Sequence, residues 1–235
     1  MDKRNTGKTI LVTGGTGGLG RAISLAFLEE GATVLVTYRS QDEFDALKSA
    51  AGANVAKLEG KDVDVLEEAA LKTFVAGIVA QHGRLDTLVN AVGGYSAGKP
   101  LWEMDAKALD QMLNLNLRAG YLLVRSIVPQ MLKQGSGAIV NVAATAAINH
   151  MASASEYVAS KAAALAMINS LAADLKGSGV RANTIMPSII DTEANRKAMP
   201  DADHAKWPKP EEIARVILFL CSDDAKLVHG AAIPV

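Results

Sequence analysis

The stretch "TGGTGGLG" (13–20) constrains this chain more than any other. It lies between a short β-branched run, "TILVT" (9–13), and a helical pattern, "LGRAISLAFLEEG", that stops at Gly31. A glycine-rich turn from strand to helix lets backbone N–H groups and the helix N-terminus close on a pyrophosphate. Each glycine costs about 0.5–1 kcal/mol of folding entropy, so the five in this turn need a use. The loop fits G-x-G-x-x-G through Gly15, Gly17 and Gly20. It also fits T-G-x-x-x-G-x-G through Gly14, Gly18 and Gly20. The residues alone leave both registers open.

The rest of the chain repeats the alternation. "TVLVTY" (33–38), "NVAKLEGKDV", "LDTLVNAVGG" (85–94), "GAIVNVA", "VRANTIMP" and "GAAIPV" read as further strands. Between them lie helical patterns: "DEFDALKSAAG", "VLEEAALKTFVAGIVAQHG" ending at Gly83, and "ASASEYVASKAAALAMINSLAADLKGSG". "DAKALDQMLNLNLRAGYLLVRSIVPQMLKQG" reads as one long helix, with Pro129 bending it or sitting near a turn, and "EEIARVILFLCSDD" as the last helix. Such alternation gives βαβ units, right-handed crossovers and helices on both faces of a parallel sheet. The expected fold is α/β. A single domain spans residues 1–235 as a doubly wound Rossmann sheet with strand order 3-2-1-4-5-6-7. Residues 188–208 are polar and lack periodicity, as expected of a substrate-binding lid.

Composition narrows the partners. The 24 basic and 25 acidic residues leave a formal net charge of −1, and no basic stripe stands out. Nucleic acid is therefore not an expected partner. The single cysteine, Cys221, rules out an intrachain disulfide and a multi-cysteine zinc site, and its helix places it in the core. His82, His150, His204 and His229 are dispersed, so no metal centre is expected. No apolar run reaches the length of a membrane span, and "MDKRNTGKT" lacks the apolar core of a signal peptide. The expected setting is cytoplasmic and the expected partner a small-molecule substrate.

The second strand ends in "TYRSQDE". An acidic residue at that place bonds the ribose 2′-hydroxyl of NAD. Here Arg39 would pair with a 2′-phosphate and Ser40 would add a hydrogen bond. NADP(H) is therefore favoured over NAD(H).

"EYVASK" sets Tyr157 four residues before Lys161, on one helix face. A free phenol has a pKa of about 10. A nearby ammonium favours the phenolate, so the pair can pass a proton while a nicotinamide passes hydride.

With these residues in place, the chain resembles the short-chain dehydrogenase/reductase family over almost its whole length. "TGGTGGLG", "KDV", "LVNAVGG", "NLNLRAGYL", "YVASK" and "PSIIDT" carry the resemblance in order. It implies an NAD(P)H-dependent oxidoreductase with catalytic Tyr157, Lys161 and Asn116, the asparagine holding a water that links Lys161 to solvent. It implies cofactor contacts from Gly14, Thr16, Gly18, Leu19 and Gly20, and from Asp62 and Val63 at the adenine. Asn90 and Ala91 would support the cofactor-side loop. Pro187, Ile190 and Thr192 would meet the nicotinamide end and the pyrophosphate.

The chain also departs from the family. Ala91 replaces a second asparagine and Ser188 a glycine. The serine that orients a substrate carbonyl is missing, and Ala144 occupies its place. Thr145, Ser153 and Ser155 are candidate replacements. Strand alternation would point Thr145 to the other face. Within the family, local similarity to dihydropteridine reductases, which lack that serine, runs through "DTEANRKAMPDADHAKW" (191–207). The expected substrate is thus a small carbonyl or a pterin-like compound. A non-catalytic dinucleotide-binding sensor is the alternative.

Tyr95 and Trp102 follow the fourth strand, where a flat ligand could stack, although Trp102 could equally be core. The helices at 106–133 and 154–178 are apolar nearly all round, so contact between subunits, as homodimer or homotetramer, is expected.

Overall fold

A computed structural model describes residues 4–235. The first three residues of the charged N-terminus lie outside them. Strands β1 (Thr9–Thr13), β2 (Thr33–Tyr38), β3 (Leu58–Asp62), β4 (Thr87–Asn90), β5 (Gly137–Val142), β6 (Val180–Met186) and β7 (Ala232–Pro234) form one sheet. Its order is β3-β2-β1-β4-β5-β6-β7, as expected. Every pair is parallel.

Strand alternation divides the core in two. Ile10, Val12, Val34, Val36, Val89 and Val140 face α1 (Gly18–Glu29) and α8 (Pro210–Cys221), where Phe27 and Ile217 are fully enclosed. Leu11, Leu35, Leu88 and Ile139 face α3 (Glu68–His82), α5 (Ala119–Gln134) and α6 (Ser155–Asp174). Both faces are covered at the centre, so β1, β2 and β4 read as apolar runs, whereas the edge strands β3 and β7 are partly exposed. Gly83 and Gly135 end α3 and α5 in left-handed conformation. Cys221 is buried, and burial pushes its thiol up to about 12.

Three expectations about elements need correction. Residues 105–135 are not one regular helix. The α4 segment (Ala106–Leu113) passes through a π turn at Asn114–Arg118 before α5 begins, and Pro129 sits on the exposed side of α5. The polar segment 188–208 is not wholly irregular: it contains α7 (Glu193–Ala198) and a 3₁₀ turn at His204–Lys206. Thr192 starts α7 as its N-cap, accepting from the Asn195 N–H at 3.2 Å. The helix carrying Tyr157 begins at Ser155, later than the sequence pattern suggested. The remaining helix, α2 (Gln41–Ala51), is capped by Ser40.

Candidate active site

Parallel strands bring their C-terminal ends, and the loops that follow, to one edge of the sheet. A buried polar ladder crosses the sheet there. Thr13 Oγ1 donates to Asn90 Oδ1 at 2.9 Å, and Asn90 Nδ2 donates to Asn141 Oδ1 at 2.9 Å. Asn90 Oδ1 also receives the Val92 N–H at 3.3 Å, which fixes the start of the loop beyond β4.

The glycine turn discriminates between the two registers. Gly14 has φ +68, a conformation that disfavours side chains. A Cβ on Gly20, which both registers share, would overlap the Gly14 carbonyl, and one on Gly15 would come within 2.5 Å of Val36 Cγ1, whereas one on Gly17, required only by G-x-G-x-x-G, would meet ordinary contact at 3.6 Å. The T-G-x-x-x-G-x-G reading through Gly14, Gly18 and Gly20 therefore describes the turn. Gly17 precedes α1 without a capping side chain, and the first turn of α1 has no acidic residue. Such an end suits a pyrophosphate. A Cβ on Gly18 would come within 2.9 Å of Thr192 Cγ2, so this turn and the 190–192 segment face each other closely. Leu19 and Val63 are buried and offer only backbone to a ligand, and Pro187 gives its carbonyl to the Thr145 N–H at 3.0 Å. Ala91 and Ile190 are half-buried. Asp62 is exposed at the end of β3, in register with Tyr38. These residues fit a dinucleotide.

At the far end of that cradle Arg39 is exposed just after β2. Ser40 Oγ accepts the Glu43 N–H at 3.3 Å as the cap of α2, a bond that uses a lone pair and not its O–H. Thr16 Oγ1 donates to the Glu43 carboxylate at 2.8 Å, an acidic neighbour that sequence inspection passed over.

Tyr157 and Lys161 lie in the first turns of α6. Lys161 is buried and Nζ donates to the Val142 carbonyl at 3.2 Å. Burial pushes the ammonium down to about 8. A Cβ on Gly93 would stand 3.0 Å from Nζ, so only glycine leaves room at that point of the loop. Burial, and secondarily Tyr95, push the Tyr157 phenol up to about 12. The acidifying effect of Lys161 expected from the i, i+4 spacing is not among the influences on this phenol. At neutral pH Tyr157 holds its proton and most of Lys161 is charged.

Asn116 sits in the π turn, buried. Its Oδ1 accepts the Gly94 N–H at 2.9 Å, and its Nδ2 donates to the Gly94 carbonyl at 3.1 Å and to Ser160 Oγ at 2.9 Å. Ser160 Oγ in turn donates to the Tyr157 carbonyl at 2.8 Å. The side chain therefore ties the strand-end loop to the tyrosine helix, a role that a water-holding asparagine alone would not require. A π turn widens the helix at one point and often marks a functional site.

Ala144 is buried beside this group, and no hydroxyl exists at its position. Ser155 Oγ is enclosed by protein and so is not presented to the cleft. Thr145 is half-buried and opens a 3₁₀ turn. Ser153 has φ +57, and its carbonyl accepts the Gly98 N–H at 2.7 Å. Tyr95 meets Tyr157 edge to face, with ring centroids 4.9 Å apart. Trp102 is 84% exposed and is not core. His150 is exposed on the loop after β5.

Comparison with known proteins agrees with this geometry. The family model described as short chain dehydrogenase matches residues 8–203. The chain is 33% identical over 240 residues to 3-oxoacyl-[acyl-carrier-protein] reductase of Thermotoga maritima, covering 99% of this chain and 97% of that protein. It is 34% identical over 240 residues to D-threitol dehydrogenase of Mycolicibacterium smegmatis, covering 98% and 92%. A solved short-chain type dehydrogenase/reductase from Mycobacterium ulcerans superposes with a TM-score of 0.92 at 27% identity, covering 98% of this chain and 89% of that one.

Proposed function

The chain belongs to the short-chain dehydrogenase/reductase family of oxidoreductases, and on that premise we propose that it is an NADP(H)-preferring reductase of a small carbonyl or pterin-like substrate. The observation that carries this reading is the meeting of Tyr157, Lys161 and Asn116 at the strand ends, next to a cradle that fits a dinucleotide. When bound, the nicotinamide supplies the hydride. Tyr157 Oη keeps the proton that passes to the substrate oxygen or nitrogen, and its raised pKa makes it the protonated partner that reduction needs. Lys161 presents its ammonium toward Gly93, placed to hold a ribose hydroxyl. Asn116 is a positioning residue, since it acts through Gly94 and Ser160.

Arg39 supports the NADP(H) preference by exposing a guanidinium to a 2′-phosphate. The segment 188–208, anchored by the Thr192 cap and an Asp191–Arg196 ion pair, would close over the substrate. No helix among the described residues is long and apolar enough to cross a membrane, and we read the protein as cytoplasmic. The outer side of α5 exposes Tyr121 and Leu132, and that of α6 exposes Ala159 and Ala166. Neither helix is apolar all round: Arg125 and Lys133 are also exposed on α5, and Asn169 and Asp174 on α6. Self-association through these faces is the corresponding reading, and sedimentation at micromolar concentration tests it.

The vacancy of a hydroxyl at Ala144 is the observation that favours a non-catalytic sensor. Against it stands a complete Tyr157–Lys161–Asn116 group. The deciding experiment is NADPH and NADH oxidation against a panel holding a quinonoid dihydropterin, ketones, aldehydes, quinones and a 3-oxoacyl thioester. Turnover with NADPH supports the reductase. Cofactor binding without turnover supports the sensor.

A further inference from the structure

Three anchors hold the segment that follows β4, and they fall on alternate residues. Gly94 gives its N–H and carbonyl to Asn116. Ser96 Oγ donates to Glu156 Oε1 at 2.8 Å. The Gly98 N–H donates to the Ser153 carbonyl. Each anchor draws on a costly feature. Asn116 occupies the π turn. Glu156 is a carboxylate only 4% exposed, and its Oε2 is buried without a partner. Ser153 is the one non-glycine residue with positive φ among the described residues. Unpartnered buried carboxylates and left-handed serines destabilise a fold, and they persist where the geometry they secure has a use.

The three anchors jointly fix Tyr95, whose side chain leaves the segment between the first two. Tyr95 is 64% exposed, and its ring stands at 76° to that of Tyr157. It is a tyrosine on a restrained segment, at the open side of the proton donor, in a site whose usual orienting serine is absent.

We infer that Tyr95 is the second substrate-facing hydroxyl of this site, donating a hydrogen bond to the atom that Tyr157 protonates and standing in for the serine missing at Ala144. The inference rests on the reductase reading above. As hydride arrives at a carbonyl carbon or an imine-type carbon, negative charge gathers on the attached oxygen or nitrogen. A fixed donor aimed at that atom stabilises the charge more than it stabilises the ground state. A phenol on the loop after β4 approaches from a different wall than a serine on β5 would. The substrate thus lies between Tyr95 and Tyr157. The upward push that Tyr95 exerts on the Tyr157 phenol agrees with two hydroxyls serving one small space.

Tyr95→Phe tests this directly, because it keeps the ring and leaves all three anchors in place. With a substrate that the panel identifies, kcat should fall by roughly 10²–10³, as for loss of one preorganised donor, while NADPH affinity stays unchanged. Adding Ala144→Ser to Tyr95→Phe should recover turnover, which a merely structural role of Tyr95 would not allow. Tyr95→Phe at the wild-type rate overturns this inference alone, and so does a loss that Ala144→Ser fails to repair. A wild-type protein inactive on the whole panel overturns the reductase reading and this inference with it. Tyrosine ring-carbon NMR adds a readout independent of turnover. Tyr95→Phe should move the Tyr157 pKa downward, with the larger upward push from burial remaining, and an unchanged titration overturns the shared-site geometry.

Discussion

The side-chain amide of Asn116 grips Gly94 by both backbone groups, at 2.9 Å on the N–H and 3.1 Å on the carbonyl. The bond joins a π turn to the loop that faces Tyr157, and it is fully buried on the asparagine side. Asn116→Ala leaves the half-buried N–H and C=O of Gly94 without their side-chain partners and removes two hydrogen bonds, each worth about 0.5–1.5 kcal/mol. Urea denaturation should show a lower midpoint. Turnover should fall further than stability alone explains, because Gly93 and Tyr95 flank the released residue. A variant with wild-type midpoint and turnover would count against the positioning role.

Lys161 should be a destabilising residue at neutral pH. Its pKa falls from 10.5 to about 8 on folding, so the unfolded chain holds that proton more tightly. The penalty is complete below pH 8 and is relieved as pH rises from 8 toward 10.5. Lys161→Met should therefore raise stability at pH 7, by about 3 kcal/mol at most, while abolishing activity. The gain should shrink at pH 9.5. Paired urea titrations at the two pH values check both parts, and a variant that is less stable at pH 7 would refute the assignment.

Tyr157 gives the opposite sign. Its folded-state pKa is raised to about 12, so the folded chain keeps that proton longer than the unfolded one. This contribution is present below pH 10 and is lost as pH climbs from 10 to 12. Tyr157→Phe removes the loss. It should also cut turnover by roughly 10²–10⁴ with cofactor binding intact, as fluorescence titration of NADPH can show. Unchanged turnover would end the proton-donor assignment.

Cofactor choice should be decided between Arg39 and Glu43. Arg39→Ala should weaken NADPH binding by about tenfold, the worth of a charge-assisted pair, and leave NADH binding alone. Glu43→Gln removes a carboxylate close to Thr16 and should strengthen NADPH binding by a factor of about 2–5. Calorimetric titration of the two nucleotides measures both. Equal loss of NADH and NADPH on Arg39→Ala would show that the guanidinium does not read the 2′-phosphate.

Gly20→Ala places a methyl group against the Gly14 carbonyl, where neither backbone can yield without opening the turn. Dinucleotide affinity should collapse and thermal stability drop, whereas Gly17→Ala, with ordinary contacts around it, should bind nearly as wild type. The contrast distinguishes the two registers that the residues alone left open.

The central strands were readable because they are buried on both faces. Runs such as "TILVT" and "TVLVTY" then have no amphipathic ambiguity, and the glycine turn set the first crossover. The π turn was not readable, since "NLNLR" carries the same apolar spacing whether a helix closes at four residues or five. The burial of Glu156 was not readable either, for a different reason. An acid in the first turn of a helix normally faces water and the helix dipole, and only the loop carrying Ser96 turns it inward. Ser40 was legible as a polar residue at the right place, but its capping bond to Glu43 is local geometry that spacing does not announce. The Tyr157–Lys161 pair was found from spacing, whereas the direction of each pKa came from burial that spacing does not specify.

The alternate anchoring of Gly94, Ser96 and Gly98 divides labour along a single loop. Odd-numbered positions are released from holding the fold. Residues 95 and 97 are thus places where new side chains can be tried with the backbone unmoved. A library randomised at those two positions should return mostly folded protein, with new substrate range arising where position 95 still offers a donor. One randomised at 94, 96 and 98 should return mostly protein that has lost its loop. The spacing of three anchored residues thereby sets where this chain can acquire a new substrate range.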